Sequence, residues 1–174
     1  MRRSRGLIGS LALLALIALL VLSDRGGDGE PAGSPGGESG SSSLRAFVSR
    51  VVDGDTIEVR IGGDEDEVRY IGIDTPETVK PGSPVQCFGP QSSAANKRLV
   101  EHRKVRLVFD RERRDVYGRL LAYVYVGNDF VNARLVRSGY ARTLTIPPNV
   151  AHAGLFDRLA TAAGRAGRGL WGGC

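Results

Sequence analysis

The chain has 174 residues, 41% of them hydrophobic, which bounds one ordinary domain with appendages and is compatible with a packed core. Its two cysteines, Cys87 and Cys174, and two histidines, His102 and His152, show no close metal-ligand spacing, which argues against a structural zinc site. The net charge is +5; the three arginines of 1–23 and the net −3 of 24–43 cancel, so the excess belongs to the remainder and fits a polyanionic partner.

Residues 1–6 carry Arg2, Arg3 and Arg5, and 7–22 are almost wholly apolar. A positive flank before an apolar core of about 16 residues is an export signal or a signal anchor. No small-x-small cleavage site follows Val21-Leu22-Ser23, so an uncleaved anchor is favoured, with the basic end inside and the rest outside. The domain is thus expected to be extracytoplasmic, secreted or held at the cell membrane by residues 1–22. Residues 23–43 are Gly, Ser, Pro and acids without large apolar side chains, a flexible linker that cannot offset its ordering entropy by burial.

The folded domain is expected over 44–174. A first strand covers 46–52. Residues 56–61 alternate apolar and polar, as a half-buried strand does. Gly62-Gly63-Asp64 signals a turn, and 67–73 returns as a third strand, making a hairpin. Residues 78–90 read as a Pro- and Gly-rich loop. A helix is expected over 91–102, with Ala94, Ala95, Leu99 and Val100 inward. Strands at 105–109 and 119–126 follow, then helices at 131–138 and 150–165. Five short strands with few, late helices point to a mainly β, α+β fold: a closed antiparallel barrel carrying about three packed helices.

Two acidic clusters carry the chemistry. Asp53-Gly54-Asp55-Thr56 opens the second strand, and Asp74-Thr75-Pro76-Glu77 follows the third. Alone, Asp-Gly-Asp is an ordinary turn signal. A hairpin, however, brings the start of one strand beside the end of the next, so Asp55 and Asp74 approach although they lie 19 positions apart. Two carboxylates so placed repel unless a cation or proton lies between them, and hard cations such as calcium take several oxygen ligands. Arg69 lies among apolar neighbours, a costly place without an anionic partner. Tyr117-Gly118-Arg119 adds a second guanidinium.

Asp-Gly-Asp-Thr, Arg69, Asp-Thr-Pro-Glu, Tyr-Gly-Arg, Val131-Asn132 and the 135–141 block Leu-Val-Arg-Ser-Gly-Tyr-Ala together resemble the thermonuclease (staphylococcal nuclease) family, over roughly 45–172. The resemblance implies an OB-fold barrel and a calcium-dependent endonuclease acting on DNA and RNA to leave 3′-phosphate ends. It implies Ca2+ ligands at Asp55, Asp74 and the Thr75 carbonyl, with Asp53 in the outer shell. Glu77 matches the family's proposed general base, Arg69 and Arg119 its phosphate-binding arginines, and Tyr117 a phosphate contact. Lys80, the basic residue kept by the 78–88 loop, is a further substrate-binding candidate.

Two departures stand out: Val116 occupies a place held by lysine in the family archetype, and 142–149 lacks the archetype's base-stacking aromatics. The basic run Lys104, Arg106, Arg111, Arg113 and Arg114 reads as a solvated face rather than a DNA track. Trp171 reads as a packing anchor for the C-terminal segment. Two free thiols suit a cytosolic chain; export favours a Cys87–Cys174 disulfide. The chain is expected to act as a monomer. The competing reading is a nonenzymatic OB-fold module binding nucleic acid or peptide; the presence of Asp55, Arg69, Asp74, Glu77 and Arg119 together argues against it.

Overall fold

The computed structural model describes residues 42–78, 82 and 84–174. The expected anchor at 1–22, most of the linker and Lys80 lie outside the described residues. Strand β1 (Ser43–Val51) begins at what was expected to be the linker's last residue, and Ser42 already accepts a hydrogen bond from the Phe109 N–H. Strands β2 (Thr56–Ile61) and β3 (Asp64–Tyr70) form the expected hairpin, with Thr56 opposite Arg69 and Ile61 opposite Asp64. Gly62 and Gly63 both have positive φ, which the tight turn requires.

The expected third strand does not run through to residue 73. It breaks at Ile71, and Gly72 to Asp74 form a separate strand β4. Gly72 has φ +80°, and a Cβ there would lie 2.5 Å from the Phe156 ring. Only glycine satisfies both the turn and the close approach. Buried Asn132 holds this break. Its amide donates to the Ile71 carbonyl at 2.9 Å and accepts from the Val124 N–H at 2.9 Å.

Helix α1 (Gly89–Val100) starts two residues earlier than the periodicity implies, with Pro90 in its first turn. It buries Ala95 and Val100 as expected, together with the polar Ser92 and Asn96. Strands β5 (Lys104–Val108), β6 (Leu120–Val126) and the two-residue β7 (Asp129–Phe130) follow, then helix α2 (Val131–Arg137). The 142–149 segment contributes β8 (Arg142–Leu144), antiparallel to β4. Helix α3 (Ala153–Arg165) and a short α4 (Leu170–Gly173) end the chain.

The sheet order is β3-β2-β1-β5-β6-β7, and β3 also pairs with β6 in parallel, with Arg69 opposite Leu121. Five strands therefore close into a barrel, with α1, α2 and α3 as the principal helices. Alternate residues Val48, Ile57, Val59, Val68, Leu107 and Val124 fill it and are fully buried. Leu170, 3% exposed, is the apolar anchor of the C-terminal segment. Trp171 is not: it stays 42% exposed, with the Arg142 guanidinium over its ring. Cys87 and Cys174 are joined by a disulfide across a sequence separation of 87. Among the described residues no helix is long and apolar enough to cross a membrane.

Candidate active site

The barrel places the two acidic clusters and both arginines around one cleft of about 860 Å³. Asp55, Arg69, Asp74, Thr75, Glu77, Tyr117 and Arg119 all line it. The cleft lies at the end of the barrel where β2 begins and where β6 emerges from the Tyr117-Gly118-Arg119 turn.

Asp55 is its buried centre, at 3% exposure. The Asp53 side chain accepts from the Asp55 N–H at 3.0 Å, an Asx turn that aims the next carboxylate inward. One Asp55 oxygen, Oδ2, accepts from the Thr75 N–H at 2.6 Å and from the Thr75 hydroxyl at 2.9 Å. The other, Oδ1, meets Arg69 Nη1 at 2.5 Å. Gly54 permits this contact, since a Cβ on it would lie 2.6–2.8 Å from the Thr75 side chain. Burial pushes the Asp55 carboxyl up to about 7. Arg69 and the Thr75 hydrogen bonds oppose that rise, and neighbouring Asp53 adds to it.

Asp55 and Asp74 come together, but not as direct hairpin neighbours. Thr56 pairs with Arg69, so the hairpin sets Arg69 beside Asp55; Asp74 arrives through the Gly72 turn and the β4–β8 pairing. Arg69 then bridges them, with Nη2 2.9 Å from Asp74 Oδ1 and Nη1 3.2 Å from the Ile73 carbonyl. The cation between the two carboxylates is thus a side chain of the protein. Asp74 itself is half exposed and faces the cleft.

Arg119 is held from the other side. Its Nε donates to Asp115 Oδ2 at 2.7 Å and lies 3.8 Å from Glu67. Asp115 Oδ1 also caps the turn, accepting from the Tyr117 and Arg119 N–H groups. Sequence reading missed Asp115 and Glu67 as holders of Arg119; the local signal was Asp115 four residues before it. Tyr117 is 82% exposed and stacks loosely beneath the Arg119 guanidinium at 5.5 Å. Val116, 93% exposed, takes part in none of these contacts.

Glu77 follows buried Pro76 and is fixed through its backbone. The Gln86 side chain accepts from the Glu77 N–H at 3.1 Å, and the Gln86 N–H donates to the Glu77 carbonyl at 2.9 Å. The Glu77 carboxylate accepts from the Thr78 N–H at 2.9 Å. The start of α1 presses against this backbone, with a Cβ on Gly89 only 3.0 Å from the Glu77 carbonyl oxygen. Cys87 ties the same loop to the C-terminus.

A second pocket of about 370 Å³ adjoins the cleft and shares Arg69, Tyr117 and Arg119 with it. Its walls include Ile73, Val116, Leu121, Leu144 and Ile146. Where the archetype has aromatics, 142–149 supplies aliphatic side chains.

Among the described residues no three Asp, Glu, His or Cys side chains converge as they would around a metal ion. The donors of the Asp55, Asp74 and Thr75 set are nevertheless all hard oxygens, two of them carboxylate, and both carboxylates point at one cationic group. That chemistry fits calcium rather than zinc.

A family model described as staphylococcal nuclease homologue matches residues 67–173. The chain is 40% identical over 163 residues to a thermonuclease of Staphylococcus intermedius, covering 94% of this chain and 95% of the relative. It is 41% identical over 124 residues to a thermonuclease of Staphylococcus hyicus, covering 71% and 73%. It is 43% identical over 129 residues to the endonuclease YncB of Bacillus subtilis, covering 73% of this chain and 61% of the relative. The motifs in the cleft, the barrel that gathers them and this extent of likeness show that the chain belongs to the staphylococcal nuclease family.

Proposed function

We propose that this protein is an exported, calcium-dependent endonuclease that hydrolyses phosphodiester bonds of DNA and RNA and leaves 3′-phosphate ends. The observation that carries this is the single cleft where a buried carboxylate, a second carboxylate, a carboxylate base candidate and two separately held guanidiniums face the same space. Its relatives bear the names thermonuclease and endonuclease.

Asp55, Asp74 and the Thr75 carbonyl would hold the calcium ion, which when bound supplies positive charge to a phosphate oxygen and to the attacking water. Glu77 takes the proton of that water as it attacks phosphorus. The P–O5′ bond breaks, and the departing 5′ oxygen takes a proton from solvent, leaving a 5′ hydroxyl on one fragment and the 3′ phosphate on the other. Arg69 and Arg119 offer forked donors to the phosphate oxygens and neutralise the charge that grows on them. Both are pre-oriented by carboxylates, Arg69 by Asp55 and Asp74, Arg119 by Asp115 and Glu67. The disulfide supports an oxidising exterior, where the 1–22 segment, read as an export element, would deliver the domain.

The deciding experiment incubates purified full-length protein with heat-denatured DNA and with RNA, in calcium and in excess chelator. Acid-soluble nucleotides with 3′-phosphate ends, formed only in calcium, are expected. Tight binding of either polymer with no hydrolysis in any divalent cation would instead establish the nonenzymatic binding module.

A further inference from the structure

We propose that the outer face of β1, β2, β5 and β6 is a second binding site for single-stranded nucleic acid, separate from the catalytic cleft. Arg45, Phe47, Arg60, Lys104 and Arg106 line a groove of about 500 Å³ there. Strand pairing puts them on one face: Arg45 stands opposite Arg106, Phe47 opposite both Lys104 and Arg60, and Arg106 opposite Tyr125. The inward alternates Ala46, Val48, Val105 and Leu107 are buried in the barrel, so these side chains face out.

The groove is at the far end of its strands from the cleft. Arg60 lies four residues along β2 from Thr56, about 13 Å, and Tyr125 five along β6 from Leu120, the residue after Arg119, about 17 Å. One polymer can therefore touch both places without the two being one site.

A solvated strand face normally mixes charge signs. Here all four charged residues lining the groove are cationic, and among the described residues none of them forms an ion pair. Glu65 is the register partner of Arg60 but does not pair with it. Two arginines directly opposite each other, Arg45 and Arg106, are unfavourable for the sheet itself, so the face gains nothing internally from its charge. A polyanion removes that repulsion.

Two of the cations are also pre-arranged. The Arg106 guanidinium lies 4.3 Å over the Tyr125 ring, whose other neighbour is Phe130, stacked at 4.5 Å and 14°. The Arg60 guanidinium lies 5.2 Å over Phe47. Guanidiniums held over rings offer donors to phosphates, and unpaired bases can stack on the guanidinium and aromatic surfaces together. Basic grooves with such stacking surfaces suit single strands without sequence preference. Duplex DNA offers no unpaired base, and an anionic lipid surface has no use for the stacked planes. The ligand is the polymer the cleft is proposed to cut, and to that extent the site rests on the reading above; its binding is measured without any hydrolysis.

The test measures binding of a fluorescent 20-nucleotide oligothymidylate to full-length protein in excess chelator, across a salt series. Arg45→Ala/Lys104→Ala/Arg106→Ala is expected to bind at least about tenfold more weakly and to lower the slope of log K against log salt by about 2, at ~0.7 per phosphate contact. Hydrolysis of a small nitrophenyl phosphodiester, too short to span the two sites, should stay at the wild-type rate. That rate reports on the proposed activity independently, and its absence in wild type would leave the binding result standing. Unchanged oligonucleotide affinity and slope would overturn the proposal. So would a loss confined to phosphatidylglycerol vesicles, which would make the face a lipid-binding surface. If the triple variant does not fold, Lys104→Gln alone decides: a slope reduced by about 0.7 supports the site, and an unchanged slope refutes it.

Discussion

At the scale of single residues, Asp55 is the buried carboxylate around which Thr75 and Arg69 are arranged. Its spacing from Asp74 revealed two carboxylates that needed a cation. The identity of the resting cation, Arg69, was hidden, because a hairpin register cannot be read from a strand's alternation alone. The consequence concerns stability. If Asp55 only repelled Asp74, its removal would relieve strain. In fact it also receives the buried Thr75 N–H and the Arg69 guanidinium. Asp55→Ala is expected to lower unfolding free energy by about 3 kcal/mol in urea titration, because it leaves the buried Thr75 amide without its acceptor and the largely buried Arg69 guanidinium with only one of its two carboxylates. Wild-type stability would show that these contacts contribute nothing. Glu77 offers the complementary case, since its proposed role lies in the chemical step. Glu77→Gln should lower kcat by at least about a hundredfold while KM stays near wild type. A large rise in KM with kcat intact would move Glu77 from proton acceptor to substrate contact.

At the scale of elements, the β2–β3 hairpin, α1 and the strand–helix order were legible because each carries a local period or turn signal. The β4–β8 pairing was not. Three-residue strands separated by about 70 residues have no pattern of their own, and they form because Gly72 and Asn132 hold the chain in place. Asn132 looked like part of a motif, but its work is to satisfy two backbone groups at the break that delivers Asp74. Asn132→Ala would leave the Ile71 carbonyl and the Val124 N–H without partners. It should lose about 3 kcal/mol by urea unfolding, and turnover should fall although residue 132 does not line the cleft. Intact turnover with lowered stability would show that β4 holds its course without the amide.

At the scale of the whole molecule, the disulfide ties the loop behind Glu77 to the last residue of the chain. Reduction should cost about 4 kcal/mol on the chain-entropy model. It should also raise hydrogen exchange at 84–88, read by mass spectrometry with and without reductant. Equal exchange in the two states would show that α1 alone holds the loop. A second molecule-wide effect follows from His152, packed against Tyr123, Phe130 and Phe156 with Asp110 facing it. Burial lowers its pKa below the usual 6.5, and Asp110 partly opposes this. The unfolded chain therefore binds the proton more readily. The stabilisation is fully present above pH 6.5 and is lost as pH falls through the lower folded value. His152→Leu should flatten the fall in melting temperature over that window; an unaltered fall would assign it to other groups.

The barrel's single parallel seam has a temporal meaning. Arg69 lies on β3 and Arg119 just before β6, and the two meet only when β3 finds β6, across about 50 residues of intervening chain. Contacts so distant in sequence are slow to form. If the chain is exported as proposed and crosses unfolded, a chain with β6 not yet delivered holds its two guanidiniums on unconnected pieces and has no assembled cleft, so the proposed activity would arise only after passage.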